Sequence, residues 1–342
     1  MTPHLPSPTA LGRHRRLLAA LACGLALAAA PPAYAATPAA AQTAVPRAAL
    51  TPVPSFGDNP GALSMYAYLP DGLPAGAPLV VLLHGCTQNA ADHFTHSGWQ
   101  KYADQHKFAL VLAEQPAVNN LRQCFNWFEP ADSDRDRGEA ASIRRMVAHA
   151  HGTYGTDPAR TYLSGLSAGA GMAANLLADY PEVFAGGALH SGPPAKCART
   201  VAQAFGCMSS DQRKTPQQWG DLVRSSAPGH TGPWPKVAIW QGTADTTVAP
   251  VNATELRDQW TNVHGLSQTP TETTTLPAGT TRRTYADAHG STLVAEYSIA
   301  GMGHGLPVDP GSGDDQCGTT ATYYLDTLCS THHTARFWGL TP

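Results

Sequence analysis

The chain has 342 residues, a formal net charge of −3 and only 14% charged residues. That length suits one large α/β domain with a full core. The balance excludes a nucleic-acid surface, because no basic stripe appears, and low charge with 32 glycines and 29 prolines fits an exported protein better than a cytosolic one.

Arg13, Arg15 and Arg16 precede an apolar run over residues 17–30, and Ala33-Tyr34-Ala35 offers an A-x-A cleavage site. This is the layout of a signal peptide over residues 1–35. The run is too short to cross a bilayer, so no membrane contact is expected once the signal is cleaved. Cys23 hints at lipid attachment, but Ala20 stands where such signals usually place Leu, and the apolar run continues past the cysteine. Arg15-Arg16 leaves twin-arginine export open. Residues 36–55 are rich in Ala, Pro and Thr without a period, and read as a disordered leader. A catalytic domain is expected over residues 56–342.

Residues 64–69 (SMYAYL) read as a first strand. Residues 79–83 (LVVLL) form a continuous apolar run, as in a central parallel strand, and lead into His84-Gly85-Cys86. Residues 108–112 (FALVL) are the next strand. Over residues 138–154, Ile143, Met146, Val147 and Ala150 recur at helical spacing and predict an amphipathic helix. Residues 161–163 predict a short strand, and residues 170–180 a helix that stops at Pro181. Three further strands are expected at 187–190, 237–240 and 292–299. Strands alternating with helices predict a mostly parallel central sheet with helices on both faces. Residues 191–235 break the rhythm with two cysteines, Trp219 and Trp234, and read as a cap-like excursion beside the site.

Of the seven cysteines, removal of the signal takes Cys23 and leaves Cys86, Cys124, Cys197, Cys207, Cys317 and Cys329. An even number in an exported chain predicts three disulfides. Loop closure favours the local pairs Cys197–Cys207 and Cys317–Cys329, which leaves Cys86 with Cys124. No C-x-x-C pair occurs, so a zinc site is not expected; no other metal and no cofactor is expected either.

Between the strand at 161–163 and the helix at 170–180 stands Gly165-Leu166-Ser167-Ala168-Gly169. This G-x-S-x-G is the pattern of a nucleophile elbow, and it makes Ser167 the candidate nucleophile of an α/β-hydrolase. A serine hydroxyl needs a base, and in that fold the order is Ser, acid, His. Asp245 follows the 237–240 strand directly and falls at the carboxyl edge of the sheet. Its rivals are Asp258, inside a predicted helix, and Asp287, in a polar loop. His304, in Gly301-Met302-Gly303-His304-Gly305, follows the last strand on a glycine-flanked loop. His190 precedes Asp245, His289 precedes a strand, and His332-His333 read as solvated. The oxyanion hole is expected from the Ala168 N–H and the Cys86 N–H. A Cys86–Cys124 bridge would hold that loop still. Asp132, Asp134 and Asp136 alternate like a calcium loop, but the glycine comes late, at Gly138, and Ile143 stands at position twelve. They read as a solvated acidic loop.

His84-Gly85-Cys86-Thr87-Gln88, Cys124-Phe125-Asn126-Trp127-Phe128, Gly138-Glu139-Ala140-Ala141-Ser142-Ile143, the elbow, Gly242-Thr243-Ala244-Asp245 and the His304 loop occur in that order. Together they resemble the polyhydroxybutyrate (PHB) depolymerase family of secreted esterases, which is similar to feruloyl and acetylxylan esterases of the same fold. The resemblance runs over about residues 60–340 and implies Ser167, Asp245 and His304 as a catalytic triad. It departs at Phe125, where Trp is commoner, and at Ala170, where Gly is commoner; both touch substrate fit. Depolymerases of this family often add a linker and a polymer-binding domain, and without them weak attack on solid polymer is expected. The expected function is an extracellular serine esterase acting on short-chain hydroxyalkanoate esters, oligomeric or polymeric. A feruloyl or acetylxylan esterase, or an acyltransferase with the same triad, are the alternatives. A noncatalytic binding module is set aside because Ser, Asp and His are all present.

Overall fold

The computed structural model describes residues 49–341. The signal-peptide reading and residues 36–48 of the leader lie outside the described residues.

The sheet starts with β1 (Thr51–Val53), β2 (Ser64–Tyr68) and β3 (Leu79–Leu83), followed by helices α1 (Ala90–His96) and α2 (Trp99–His106) and strand β4 (Ala109–Glu114). A short turn of helix, α3 (Pro130–Ser133), and the long α4 (Gly138–Tyr154) lead to β5 (Thr161–Leu166), α5 (Ala168–Asp179) and β6 (Gly186–His190). Helices α6 (Val201–Ser209) and α7 (Pro216–Ser226) precede β7 (Lys236–Gly242) and α8 (Val251–Val263). Strands β8 (Glu272–Leu276), β9 (Thr280–Ala286) and β10 (Thr292–Ile299) complete the sheet. A small pair, β11 (Leu306–Val308) and β12 (Tyr324–Asp326), and helix α9 (Ser330–Trp338) follow.

The sheet has ten strands in the order β1-β2-β4-β3-β5-β6-β7-β10-β9-β8. Strands β4, β3, β5, β6, β7 and β10 run parallel, and antiparallel strands flank them on both sides. Every residue of β3 is buried. Side chains alternate across a strand, so a strand buried on both faces must be apolar throughout. Leu79, Val81 and Leu83 accordingly join the core under α4, α5 and α8, with Ile143, Leu176 and Trp260. Val80 and Leu82 join the opposite core under α2 and α9, with Trp99 and Trp338.

The predicted spans 79–83, 138–154 and 292–299 coincide with β3, α4 and β10. The leader differs from its reading at its end. Thr51–Val53 already pairs antiparallel with β2, in a three-residue contact too short to show a period in sequence. The β8–β9 hairpin has no counterpart among the strands expected from the sequence. It is threonine-rich and partly exposed, so no apolar alternation marks it. Its tight turn uses Ala278 and Gly279 at φ of 54° and 65°. The excursion divides in two. Helix α6 borders the cleft described below, whereas α7 packs on α8 with Gly220 against Asn262 and Trp219 fully buried. His332 and His333 are half-buried on α9 rather than solvated. Burial pulls the His333 imidazole down to about 4.

The six cysteines pair as Cys86–Cys124, Cys197–Cys207 and Cys317–Cys329, with Cα separations of 4.2, 6.1 and 5.3 Å. The first joins the loop after β3 to the loop after β4 across 38 residues of sequence. Closing such a loop removes entropy from the unfolded chain. Replacing Cys86 and Cys124 together by serine should lower unfolding stability by about 2–4 kcal/mol in a urea titration; a change below about 0.5 kcal/mol would show that the bridge does not constrain the unfolded chain.

Candidate active site

Ser167 sits between β5 and α5 with φ 56° and ψ −117°, a backbone conformation that costs a non-glycine residue about 1–3 kcal/mol. The packing around it explains why the chain tolerates this. A Cβ on Gly165 would lie 2.3 Å from the Gly169 carbonyl oxygen, and one on Gly169 would lie 2.4 Å from the carbonyl oxygens of both Leu83 and His84. Strand, turn and helix therefore close on one another with only glycine at the contacts. The Ser167 N–H donates to the His190 carbonyl at 2.9 Å, which fixes the corner from below. Ala170 is pressed toward Gly192, whose own Cβ would meet it at 2.4 Å.

The three residues named from the sequence meet at this corner. His304 Nε2 lies 2.9 Å from Ser167 Oγ, and His304 Nδ1 lies 2.8 Å from Asp245 Oδ2. Asp245 follows β7 through Gly242, where a Cβ would lie 2.2 Å from the Met302 carbonyl oxygen; that contact brings the acid loop against the His304 loop. Asp245 Oδ1 accepts the N–H groups of Thr247 and Val248 at 2.8 and 2.9 Å. Its Oδ2 also accepts from Gln241 Nε2 at 3.1 Å. Burial pushes the Asp245 carboxyl up, but the His304 hydrogen bond and charge, with the Val248 and Thr247 N–H groups, outweigh it and hold the carboxyl below its ordinary range. An ionised Asp245 only accepts, so His304 Nδ1 carries the hydrogen and Nε2 is free to accept the Ser167 hydroxyl. Sequence reasoning missed Gln241 and Ser191. Ser191 Oγ donates to the Gly305 carbonyl at 3.1 Å and steadies the His304 loop. Gln241 carried a faint signal as a polar residue ending a buried apolar strand.

Ala168 opens α5, so its N–H belongs to the positive end of a twelve-residue helix. Cys86 lies in the loop after β3. Both line a cleft of about 500 Å³ together with Ser167 and His304. Trp127, Phe128, Pro193, Met208, Val248 and Tyr323 give it apolar walls, while Gln88, Asn120 and Arg122 lie along one side. Val201 and Phe205 of α6 also line it and are 50% and 64% exposed, which leaves an apolar lip at its mouth. Beneath the loops, Glu139 is buried at the start of α4. It accepts the Asn126 N–H at 2.9 Å and a hydrogen bond from Gln115 Nε2. Burial pushes its carboxyl up to about 8 against the pull of these donors.

The rival residues take other roles. Asp258 pairs with Arg257 on α8, and Asp287 accepts the N–H groups of His289 and Ser291 in the turn between β9 and β10. His190 is buried under the elbow, its Nδ1 3.1 Å from the Gly165 carbonyl oxygen. His289 is exposed. The acidic loop is only partly solvated. Asp134 pairs with Lys196 and Arg199 at 3.1 and 3.0 Å, and Asp132 accepts from Asn126 Nδ2 at 3.0 Å.

Comparison with known proteins places this chain among esterases. Residues 63–285 match the family described as esterase PHB depolymerase. The chain is 50% identical over 293 residues to poly(3-hydroxyalkanoate) depolymerase C of Paucimonas lemoignei, covering 85% of this chain and 70% of that protein. It is 36% identical to an acetylxylan esterase of Coprinopsis cinerea over 77% of this chain and 71% of that protein. The solved acetyl xylan esterase from Aspergillus awamori superposes with a TM-score of 0.73 at 24% identity, over 86% of this chain and all of that one, and so shares the α/β-hydrolase fold.

Asp245→Asn should keep the shape of the site but favour the wrong imidazole tautomer, lowering kcat by about 10⁴-fold. Asp258→Asn and Asp287→Asn should stay within about twofold of the parent. The Asp245 carboxyl binds its proton less readily folded than unfolded. Its stabilisation is therefore present at neutral pH and fades as pH falls below about 4, through the folded carboxyl's own titration. Urea titrations of the parent and Asp245→Asn should converge there; loss of activity in Asp287→Asn with Asp245→Asn still active would mean the acid is misassigned.

Proposed function

The chain belongs to the esterase PHB depolymerase family and is a carboxylic-ester hydrolase; from that premise we propose that it is an exported serine esterase that cleaves short-chain hydroxyalkanoate esters, oligomeric or polymeric, through Ser167, His304 and Asp245. The observation that carries this reading is the continuous line of hydrogen bonds from Ser167 Oγ through His304 to Asp245. In the first half-reaction Ser167 Oγ attacks the ester carbonyl while His304 Nε2 takes its proton. The carbonyl oxygen becomes an oxyanion held by the N–H groups of Cys86 and Ala168. The intermediate collapses to an acyl-enzyme as His304 returns the proton to the leaving alcohol. Water, deprotonated by His304, then attacks the acyl carbon, and Ser167 leaves with the proton. Asp245 holds the imidazole tautomer and stabilises the imidazolium in both halves.

The substrate class rests on two supports. The relative at 50% identity is named for poly(3-hydroxyalkanoate), and the cleft has apolar walls with Val201 and Phe205 exposed at its mouth. Such walls suit a short aliphatic acyl unit, with further units of the chain lying across the lip. Three disulfides support export, since such bridges persist in oxidising compartments. The acetylxylan esterase relative and the polar side at Asn120 and Arg122 favour a second reading, an esterase that removes acyl groups from plant polysaccharide.

A substrate panel separates the two. The protein should hydrolyse 3-hydroxybutyrate oligomers with a kcat/KM at least about tenfold above that for methyl ferulate or acetylated xylan, a difference of about 1.4 kcal/mol in transition-state binding. A higher kcat/KM on either plant ester would transfer the substrate to the second reading. Ser167→Ala should lower kcat by several decades on every substrate, on the order of 10⁶-fold.

A further inference from the structure

The cleft that holds Ser167 and His304 carries a single arginine. Arg122 is the only arginine or lysine among the described residues that line it, and no aspartate or glutamate lines it. The side chains nearest in sequence, Thr87, Gln88 and Asn120, are polar but neutral. Arg122 is exposed. Its guanidinium has no carboxylate partner among the described residues, whereas Arg135, Arg199 and Arg257 are each paired with one. An unpaired charge beside low-dielectric walls attracts an anion more strongly than it would in open water.

The root of this side chain is fixed. The Thr87 N–H donates to the Arg122 carbonyl at 2.6 Å, and the Arg122 N–H donates to Asn120 Oδ1 at 3.0 Å. Two residues on, Cys124 is bridged to Cys86. The loop after β4 is thereby tied to the loop after β3. These bonds keep the guanidinium at the cleft, and its flexible stem is free to adjust.

The substrate proposed above carries a matching anion. A linear hydroxyalkanoate chain ends in one free carboxylate, ionised at neutral pH. In a two-unit ester that carboxylate stands on the leaving hydroxy acid, three bonds beyond the ester oxygen that His304 protonates. A cleft of about 500 Å³ has room for the reacting ester and such a short unit together. The guanidinium fork fits a carboxylate through two parallel N–H···O bonds. Interior units of a polymer are neutral on both sides of the ester, and acyl groups on neutral sugars bring no charge, so neither uses the cation.

We propose that Arg122 is a specificity-determining carboxylate subsite: its guanidinium binds the free carboxyl end of a short hydroxyalkanoate oligomer and so favours esters whose leaving unit carries a carboxylate. This rests on the reading of the chain as a hydroxyalkanoate esterase with Ser167 as nucleophile. Arg122 makes and breaks no bond to the reacting atoms. The leaving unit departs as a hydroxy acid, its new hydroxyl protonated by His304 and its carboxylate on Arg122.

Two substrates with the same scissile bond isolate this contact: the linear 3-hydroxybutyrate dimer as its free acid, and the same dimer ending in a primary amide, which is neutral and close to it in shape. At neutral pH the parent should favour the acid by about tenfold in kcat/KM. The preference should lie in KM, because the carboxylate is bound alike in the ground and transition states. Arg122→Gln should bring the ratio to within about twofold of one, and Arg122→Glu, which sets a like charge against the carboxylate, should take it below one. An arginine with only a structural role would slow both substrates together and leave the ratio where it was. A parent without the preference, or either variant that keeps it, overturns the proposal, and one folded variant is enough to decide. Ser167→Ala, assayed on both dimers, keeps this separate from the underlying reading. If the parent cleaves neither dimer, or Ser167→Ala cleaves them as the parent does, that reading has failed and the role of Arg122 falls with it. If the parent cleaves both dimers alike and Ser167→Ala neither, only the role of Arg122 falls.

Discussion

The site depends on a close approach between backbones. The first turn of α5 lies against the end of β3 so tightly that Gly169 has no room for a Cβ beside the Leu83 and His84 carbonyls. That contact places the start of the elbow helix next to the loop after β3. Two amides far apart in sequence, those of Ala168 and Cys86, are thereby brought to one cleft. A larger residue at position 169 would push the helix away and separate them, so the glycine is required by packing rather than by its own conformation. The strain at Ser167 follows from the same closure, since a strand must reverse into a helix within one residue.

The second half of the site is assembled by loops on neighbouring strands. β7 and β10 are adjacent and parallel, so the loops that leave them emerge at the same edge of the sheet. Asp245 comes from one loop and His304 from the other, with Gly242 packed beneath Met302 to bring the two together. Around Asp245 the donors are oversupplied: Thr247, Val248, Gln241 and His304 all point at one carboxylate. That arrangement stabilises the charged form against burial and sets the orientation of the imidazole. The ring then presents Nε2 to Ser167 without needing to rearrange. Preorganisation of this kind is where an ester hydrolase gains most of its rate.

How much of this could be read from the amino-acid sequence varies with the kind of signal. β3 and α4 are legible because their apolar residues carry a run or a helical period, and burial leaves them little choice. Ser167, Asp245 and His304 are legible because an elbow, a strand end and a glycine-flanked loop occur in a fixed order. The β8–β9 hairpin is not, since its threonines lie at a partly exposed edge and need no apolar face. Gln241, Ser191, Gln115 and Glu139 are also hidden. They act through side-chain bonds to backbone or to other polar groups, and their partners are fixed only once the sheet is formed. His84 stands in a motif whose pattern points to its neighbour Cys86; its own contact with Gln115, 31 residues away, carries no sequence pattern.

The central claim is that Ser167 is the residue acylated during turnover. Treatment of the mature protein with a fluorophosphonate, followed by mass mapping of its peptides, tests this directly. One adduct per chain, confined to the peptide that contains Ser167 and accompanied by complete loss of ester hydrolysis, is the predicted result. An adduct on another serine, or full inhibition with Ser167 unmodified, would contradict the account.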